Sequence, residues 1–235
     1  MRTFLRHIID YLLPHTCCFC QKKTSRSAEL CLTCESQLPR VKQACVVCGK
    51  ATTHDFPICY ACLKKPPPFD RTYVLFPYES LAANMITRLK FGHELRYAKI
   101  LGQLMADFLI NAWSNNPPIE MPECIIPVPL HPKRLKERGF NQSIEIARPI
   151  RERLHIPIEL YAGHRIRDTQ AQSSLPKAER KSNVMRAFMI DKNFHANHVA
   201  ILDDVMTTGH TVLEFSRALR KQGVQKIDVW CCARA

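Results

Sequence analysis

Nothing in this chain is apolar for the ~18 consecutive residues that a membrane-spanning helix requires, so no segment is expected to cross a bilayer. Acidic residues are scarce beside basic ones, 21 against 34, for a net charge of +13. That imbalance suits a polyanion, either a pyrophosphate-bearing substrate or a nucleic acid, with solvated surface lysines accounting for part of it. The N-terminus lacks the long apolar core and small-residue cleavage site of a signal peptide. Instead, Phe4, Leu5, Ile8, Ile9, Leu12 and Leu13 share one helical face, and residues 1–16 read as a short helix packed on the protein rather than a membrane anchor. Low-complexity tracts are absent, and the only internal repeat is one of cysteine pairs.

Cysteine is also scarce beyond residue 62. Cys124, Cys231 and Cys232 stand there in apolar, strand-like contexts that mark them as inert core residues. The other nine of the twelve lie between Cys17 and Cys62. Eight form four C-x-x-C pairs, Cys17/Cys20, Cys31/Cys34, Cys45/Cys48 and Cys59/Cys62, with ten residues between successive pairs. Clustered pairs point to metal in a reducing compartment, hence the cytoplasm, and not to a secreted disulfide framework. Each pair can set two thiolates on one tight turn, and two pairs complete a tetrahedral four-cysteine zinc site. Eight ligands therefore imply two zinc ions, both structural, with no open position for catalysis. A segment this short cannot build a core of its own, so metal binding supplies its folding free energy. Sequential pairing is the default, with Cys17, Cys20, Cys31 and Cys34 on one ion. A cross-braced arrangement uses the same ligands and stays open. Cys18 competes with Cys17 for the first position, and the spacing favours Cys17. Lys22, Lys23, Arg26, Arg40, Lys42 and Lys50 make this module basic enough to touch nucleic acid or protein, or simply solvated.

Lys64-Lys65-Pro66-Pro67-Pro68 reads as a stiff, extended connector between a double zinc ribbon at 17–65 and a larger domain at 69–235. Beyond it, strands are expected at Tyr73–Tyr78, Glu123–Val128, Ile158–Tyr161, Ala187–Ile190, Val199–Leu202 and Ile227–Cys232. Helical spacing covers Leu81–Phe91, with Gly92 as its stop, then Tyr97–Trp113, Asn141–Leu154 and Val212–Gln222. Pro129–Phe140 reads as a basic loop and His164–Lys181 as a long polar one. Alternation of strand and helix argues for an α/β fold with a parallel sheet flanked by helices, whose ligands bind beyond the carboxyl ends of the strands.

The chemistry concentrates at one such end. Val199 to Leu202 is an apolar strand, Asp203 and Asp204 follow it, and Thr207-Thr208-Gly209 makes a turn into the next helix. A turn before a helix N-terminus is an anion site, because its free N–H groups and the helix dipole both favour phosphate. Thr207, Thr208 and Thr211 add hydroxyl donors, and Gly209 lets the backbone come close. Two carboxylates would repel that same phosphate. They suit a neighbouring polyol or a divalent cation, and a phosphate beside a diol describes a ribose 5-phosphate. The plainer alternative is that the acids only start a turn and cap a helix.

The run Ile201 to Gly209 closely resembles the phosphoribosyl pyrophosphate (PRPP) motif of type I phosphoribosyltransferases. The resemblance implies that Asp203 and Asp204 hold the ribose hydroxyls while the following loop wraps the 5-phosphate. A second stretch, Ile125 to Ser143, gathers His131, Lys133, Arg134, Lys136 and Arg138 after a strand and suits a pyrophosphate. Pro127-Val-Pro129, then Arg138-Gly-Phe-Asn-Gln-Ser143, then the PRPP-type motif, all downstream of paired C-x-x-C ribbons, resembles the ComF family from Cys17 to the C-terminus. That resemblance implies a type I phosphoribosyltransferase fold and a part in natural transformation, the handling of imported single-stranded DNA in the cytoplasm. It also implies a mobile loop carrying Arg165, Arg167, Thr169, Gln170, Ser173, Arg180 and Asn183 that closes over the donor.

Two functions are expected on these grounds. In the first, the protein binds PRPP or a nucleotide end, while its basic faces and ribbons bind single-stranded DNA or a helicase-type partner. Phe19, Phe56, Tyr60, Phe91 and Phe140 are then candidate stacking platforms. In the second, it is an active phosphoribosyltransferase unrelated to DNA. Mg²⁺ would accompany PRPP, and Lys133, Arg134 and Arg138 would stabilise the leaving pyrophosphate. No residue set identifies the acceptor base or amine.

Overall fold

The computed structural model describes residues 15–24, 29–53, 56–115, 120–167 and 187–235. The expected N-terminal helix, through residue 14, lies outside them, as do Arg26 and the loop positions Thr169, Gln170, Ser173, Arg180 and Asn183.

Four parallel strands form the centre: β1 (Arg71–Pro77), β2 (Cys124–Pro127), β5 (His198–Met206) and β6 (Lys226–Arg234), in the order β1-β6-β5-β2. The two central strands are buried almost throughout, which is why Val-Ala-Ile-Leu and Val-Trp-Cys-Cys run without polar interruption. Alternation sorts their side chains onto two faces. Ala200, Leu202, Trp230 and Cys232 face one layer, with Met85, Leu89, Leu101 and Ile146 from helices α3 (Ser80–Gly92), α4 (Arg96–Ser114) and α6 (Gln142–Leu154). Val199, Ile201, Val229 and Cys231 face the other, where Phe215 and Leu219 of α7 (His210–Lys221) pack. The same alternation continues into the acids. It directs Asp204 toward the α3 layer and Asp203 toward the α7 layer. Cys124, Cys231 and Cys232 are buried, as expected of core thiols.

The α/β class with a flanked parallel sheet is the one read from the sequence, and several elements differ in detail. Asp203 and Asp204 lie inside β5, which runs on to Met206 instead of ending at Leu202. The basic loop contains a helix, α5 (Pro132–Arg138), bracketed by Pro132 in its first turn and left-handed Gly139 at its end. Only Leu135 breaks its run of charge, so apolar periodicity could not reveal it. Helix α3 continues through Gly92, and His93 adopts the left-handed conformation in its place, its N–H donating to Arg88 O. Ile158 makes a lone parallel bridge to Ile125, not a strand. Phe188–Ile190 (β4) belongs to a separate antiparallel pair with β3 (Gly163–Arg165), which opens the segment expected to be loop. Each of these strands is three residues long, too short to show a period.

The ribbons repeat one another. In each, the first cysteine pair turns tightly and the second pair opens a single helical turn, α1 (Leu32–Ser36) or α2 (Tyr60–Lys64). Among the described residues no helix is long and apolar enough to cross a membrane.

Candidate functional site

The cysteines resolve into two sequential groups, Cys17/Cys20/Cys31/Cys34 and Cys45/Cys48/Cys59/Cys62, with all sulfurs of a group within 4.8 Å of one another. Sequential pairing therefore holds, and cross-bracing does not. Cys18 is buried outside both groups. Cys20 and Cys31 sulfurs are 3.7 Å apart and Cys48 and Cys59 sulfurs 3.8 Å. A tetrahedron with Zn–S bonds of about 2.3 Å has edges of about 3.8 Å, so both groups fit zinc. Backbone N–H groups already serve the sulfurs, Cys34 N–H to Cys31 Sγ at 3.4 Å and Cys59 N–H to Cys45 Sγ at 3.3 Å. Burial opposes a thiolate at Cys17, but the N–H groups of Cys20, Cys31 and Phe19 overcome it and bring the thiol down to about 6. Cys45 follows the same pattern, down to about 7. Burial pushes Cys34, Cys48 and Cys62 the other way, so the low thiols Cys17 and Cys45 would be the first to offer zinc the thiolate it binds.

A cavity of about 500 Å³ opens at the carboxyl ends of β2 and β5. Asp203, Asp204, Thr207 and Thr211 line it, and so do Arg134 and Arg138 of α5. Acidic and cationic stretches about sixty positions apart in sequence thus share one space. Thr208, Gly209 and Lys133 are not among its lining residues. Gly209 sits behind the wall as the N-cap of α7 with φ +78°, a conformation in which a side chain is strained, and no described side chain caps that helix. Thr208 Oγ1 lies 3.2 Å from His210 Nδ1.

The RGFNQS stretch is held by its own hydrogen bonds. Asn141 caps α6, accepting from Ser143 N–H at 2.9 Å and donating to Val128 O at 3.0 Å. It thereby joins β2 to α6 across the α5 loop. Arg138 donates to Gln142 Oε1 at 2.6 Å and lies over the Phe91 ring at 5.7 Å.

Of a third wall, the sequence singles out only Phe91, as a candidate stacking platform. Lys90, Phe91 and His93, from the end of α3, line the cavity. Lys90 Nζ is 2.6 Å from Asp204 Oδ2, with side chains 19% and 3% exposed. The clue in sequence is slight: Lys90 prolongs the apolar stripe Ala82–Ile86 by one turn, where a buried lysine needs an acid. Burial opposes its charge, and Asp204 and then Asp203 more than offset that, raising it above its usual value. Burial, followed by the charge of Asp204, pushes Asp203 up to about 8 against the pull of Lys90. Asp204 is thus ion-paired, and burial beside that charge favours the protonated form of Asp203. Burial also lowers Arg138 from its ordinary value, with Asp204 opposing. Arg165, expected in a mobile loop, is instead buried on β3, over the Phe188 ring at 5.6 Å, and lines the same cavity. Of the candidate aromatic platforms, Phe56, Tyr60 and Phe91 are exposed, and Phe19 and Phe140 are half-buried.

A double zinc ribbon domain matches residues 8–63. The chain is 33% identical over 218 residues to the "DNA utilization protein YhgH" of Shigella flexneri, covering 93% of this chain and 89% of that protein. It is 34% identical over 222 residues to the "Competence protein F" of Haemophilus influenzae, covering 87% of this chain and 96% of that one. Among solved structures, adenine phosphoribosyltransferase from Leishmania donovani overlaps 71% of this chain and 85% of its own at 13% identity, with a TM-score of 0.32, too low to carry weight.

Proposed function

This chain belongs to the ComF/YhgH family of competence and DNA-utilization proteins, and from that premise we propose that its cavity binds PRPP or a related phosphoribosyl ligand in the service of DNA utilization. The observation that carries the reading is the shared cavity, lined by Asp203 and Asp204 together with Arg134 and Arg138. Thr207 to Thr211, with the uncapped start of α7, would take the 5-phosphate. The acids would hold the ribose hydroxyls: Asp204 as an acceptor, and Asp203, when protonated, as a donor as well. Arg134 and Arg138, with neighbouring Lys133, would hold the pyrophosphate. Mg²⁺ would enter with the ligand to offset its charge. Lys90 makes the acid pair compatible with a polyanion by neutralising Asp204.

The second half of the reading is DNA. The net charge of +13, exposed Phe56 and Tyr60 on the 17–65 ribbon module, and the names of the relatives all favour single-stranded DNA as a partner, handled in the cytoplasm alongside a helicase-type protein.

Calorimetric titration of PRPP with Mg²⁺ tests the cavity. The wild type should bind, and Asp203→Asn/Asp204→Asn should weaken binding by at least about tenfold, the worth of one good polar contact. A wild type that binds neither PRPP nor pyrophosphate overturns the reading. Pyrophosphate release on adding candidate bases or amines would mark an active transferase. DNA titrations at rising salt, repeated with the double variant, report whether the two ligands share a site.

A further inference from the structure

Arg234, at the end of β6, joins two parts of the molecule that otherwise look independent. Its Nε donates to Cys48 O at 3.3 Å, on the second cysteine turn. Its Nη1, with two N–H groups, is shared among Met206 O at 2.8 Å, Thr207 O and Ala235 O at 2.7 Å. Arg234 does not line the cavity, so it stands behind the anion loop. A trans peptide points its N–H opposite to its C=O. Holding the carbonyls of Met206 and Thr207 therefore turns the N–H groups of Thr207 and Thr208 away from Arg234, and Thr207 is itself a cavity-lining residue.

The other end of this link is equally constrained. Thr72 on β1 donates its N–H to Val46 O at 2.9 Å and its hydroxyl to Val47 O at 2.5 Å. Gly49, with φ +67°, is pressed so close to β1 that a Cβ there would fall 2.4 Å from Val74 Cγ2. The turn Cys45–Gly49 is thus fixed to the sheet edge by one face and to Arg234 by the other. Its own shape depends on Cys45 and Cys48, two of the four sulfurs that fit zinc.

We infer that Arg234 is a positioning residue that couples the second four-cysteine group to the anion loop, so that the metal state of Cys45, Cys48, Cys59 and Cys62 sets the affinity of the cavity for its phosphate ligand. A metal-filled turn presents Cys48 O at a fixed place, Arg234 is held there, and the loop carbonyls are held in turn. When the turn loosens, Arg234 loses one anchor and the loop N–H groups are no longer preorganised. The first four-cysteine group has no such hydrogen-bonded link to the anion loop among the described contacts, so its metal state should affect the loop less.

The test uses the full-length, zinc-loaded protein. Hydrogen exchange over peptides spanning Met206–Gly209 should speed up in Arg234→Met and in Cys48→Ser, and should change less in Cys20→Ser. PRPP–Mg²⁺ affinity should fall at least about fivefold in Arg234→Met, the lower end of coupling between linked sites. Arg234→Lys, which offers a point charge without the fork, should lie between. Unchanged loop exchange in Arg234→Met overturns the coupling, as does equal loosening by Cys20→Ser. If Cys48→Ser fails to fold, Arg234→Met alone decides. Only the affinity measurement depends on the phosphoribosyl reading: a wild type that does not bind PRPP removes that reading, while the exchange result still decides the coupling.

Discussion

The two zinc ribbons are alike in local geometry and unlike in how they dock. Cys17 N–H donates to Lys22 O at 2.8 Å and Cys45 N–H to Lys50 O at 2.9 Å, with left-handed residues, Gln21 and Gly49, at matching places. The first ribbon docks by apolar burial. Cys17, Leu30 and Leu38 enter the core layer of α3 and α4, and Phe19 meets Tyr97 at 6.3 Å. The second docks chiefly by hydrogen bonds, from Thr72 to Val46 and Val47 and from Arg234 to Cys48, with only half-buried Val47 against the opposite core layer. Metal ligation sets the local fold of a repeat, and the surface it lands on sets what the repeat controls.

The largest expected effects follow from removing metal. Structural zinc contributes roughly 10–16 kcal/mol of binding free energy in isolated fingers, so loss of either ion is severe locally. Cys17→Ser and Cys45→Ser should each lose one zinc by elemental analysis. Thermal unfolding should fall further in Cys17→Ser, because its ribbon shares the core. Equal losses in melting temperature would break the contrast.

A buried leucine gives the next step down. Leu30 is fully buried, whereas Ile58, its counterpart in the second ribbon, is half-buried. Leu30→Ala should cost about 2–5 kcal/mol in urea unfolding and Ile58→Ala less than half as much. A costlier Ile58→Ala would place apolar docking in the second ribbon too.

The rim that the second ribbon supports should carry its own pH signature. Folded Asp203 keeps its proton up to about 8, whereas the unfolded carboxyl loses it near its ordinary value of 3.8. Between those values the folded state binds more protons, so stability falls as pH rises, by at most about 1.4 kcal/mol per unit. Asp203→Asn should remove that slope and stabilise the protein above pH 6. If the slope survives in Asp203→Asn, it arises elsewhere. If Cys20→Ser alters it, the first ribbon also reaches the rim.

Legibility in the sequence divides along similar lines. The ribbons could be read down to their ligand sets, because C-x-x-C spacing is local and repeats; the choice of sequential pairing over cross-bracing needed the sulfur positions. The central strands could be read because burial on both faces leaves continuous apolar runs. Asp203, Thr207 and Arg134 were within reach, since each lies in the last residues of, or just beyond, an apolar strand that ends at the cavity. Lys90 was not, because its partner Asp204 is over a hundred residues away and only the sheet order brings α3 over β5. Helix α5 was hidden because proline and glycine bracket it while its charge masks any apolar period. Arg234 was hidden because it works through backbone carbonyls, which no side-chain pattern records.

The smallest effect is the sharpest test of the comparison, because one atom is added at one repeat position and a side chain is removed at the other. Gly49→Ala places a methyl 2.4 Å from Val74 Cγ2 and 2.9 Å from Thr72 Cγ2, on a backbone with φ +67°. It should cost about 1–3 kcal/mol through left-handed strain and displacement from β1. Gln21 already bears the same strain, at φ 61°. Gln21→Gly should therefore gain up to about 1 kcal/mol, less whatever the freer unfolded chain takes back. Chemical denaturation reads both changes, and PRPP titration separates their consequences. Gly49→Ala pushes the second turn off the sheet edge and, through Cys48 and Arg234, should weaken ligand binding as well as stability. Gln21→Gly should alter stability alone. If both variants shift ligand affinity equally, the two turns are docked alike and the asymmetry between the ribbons is lost.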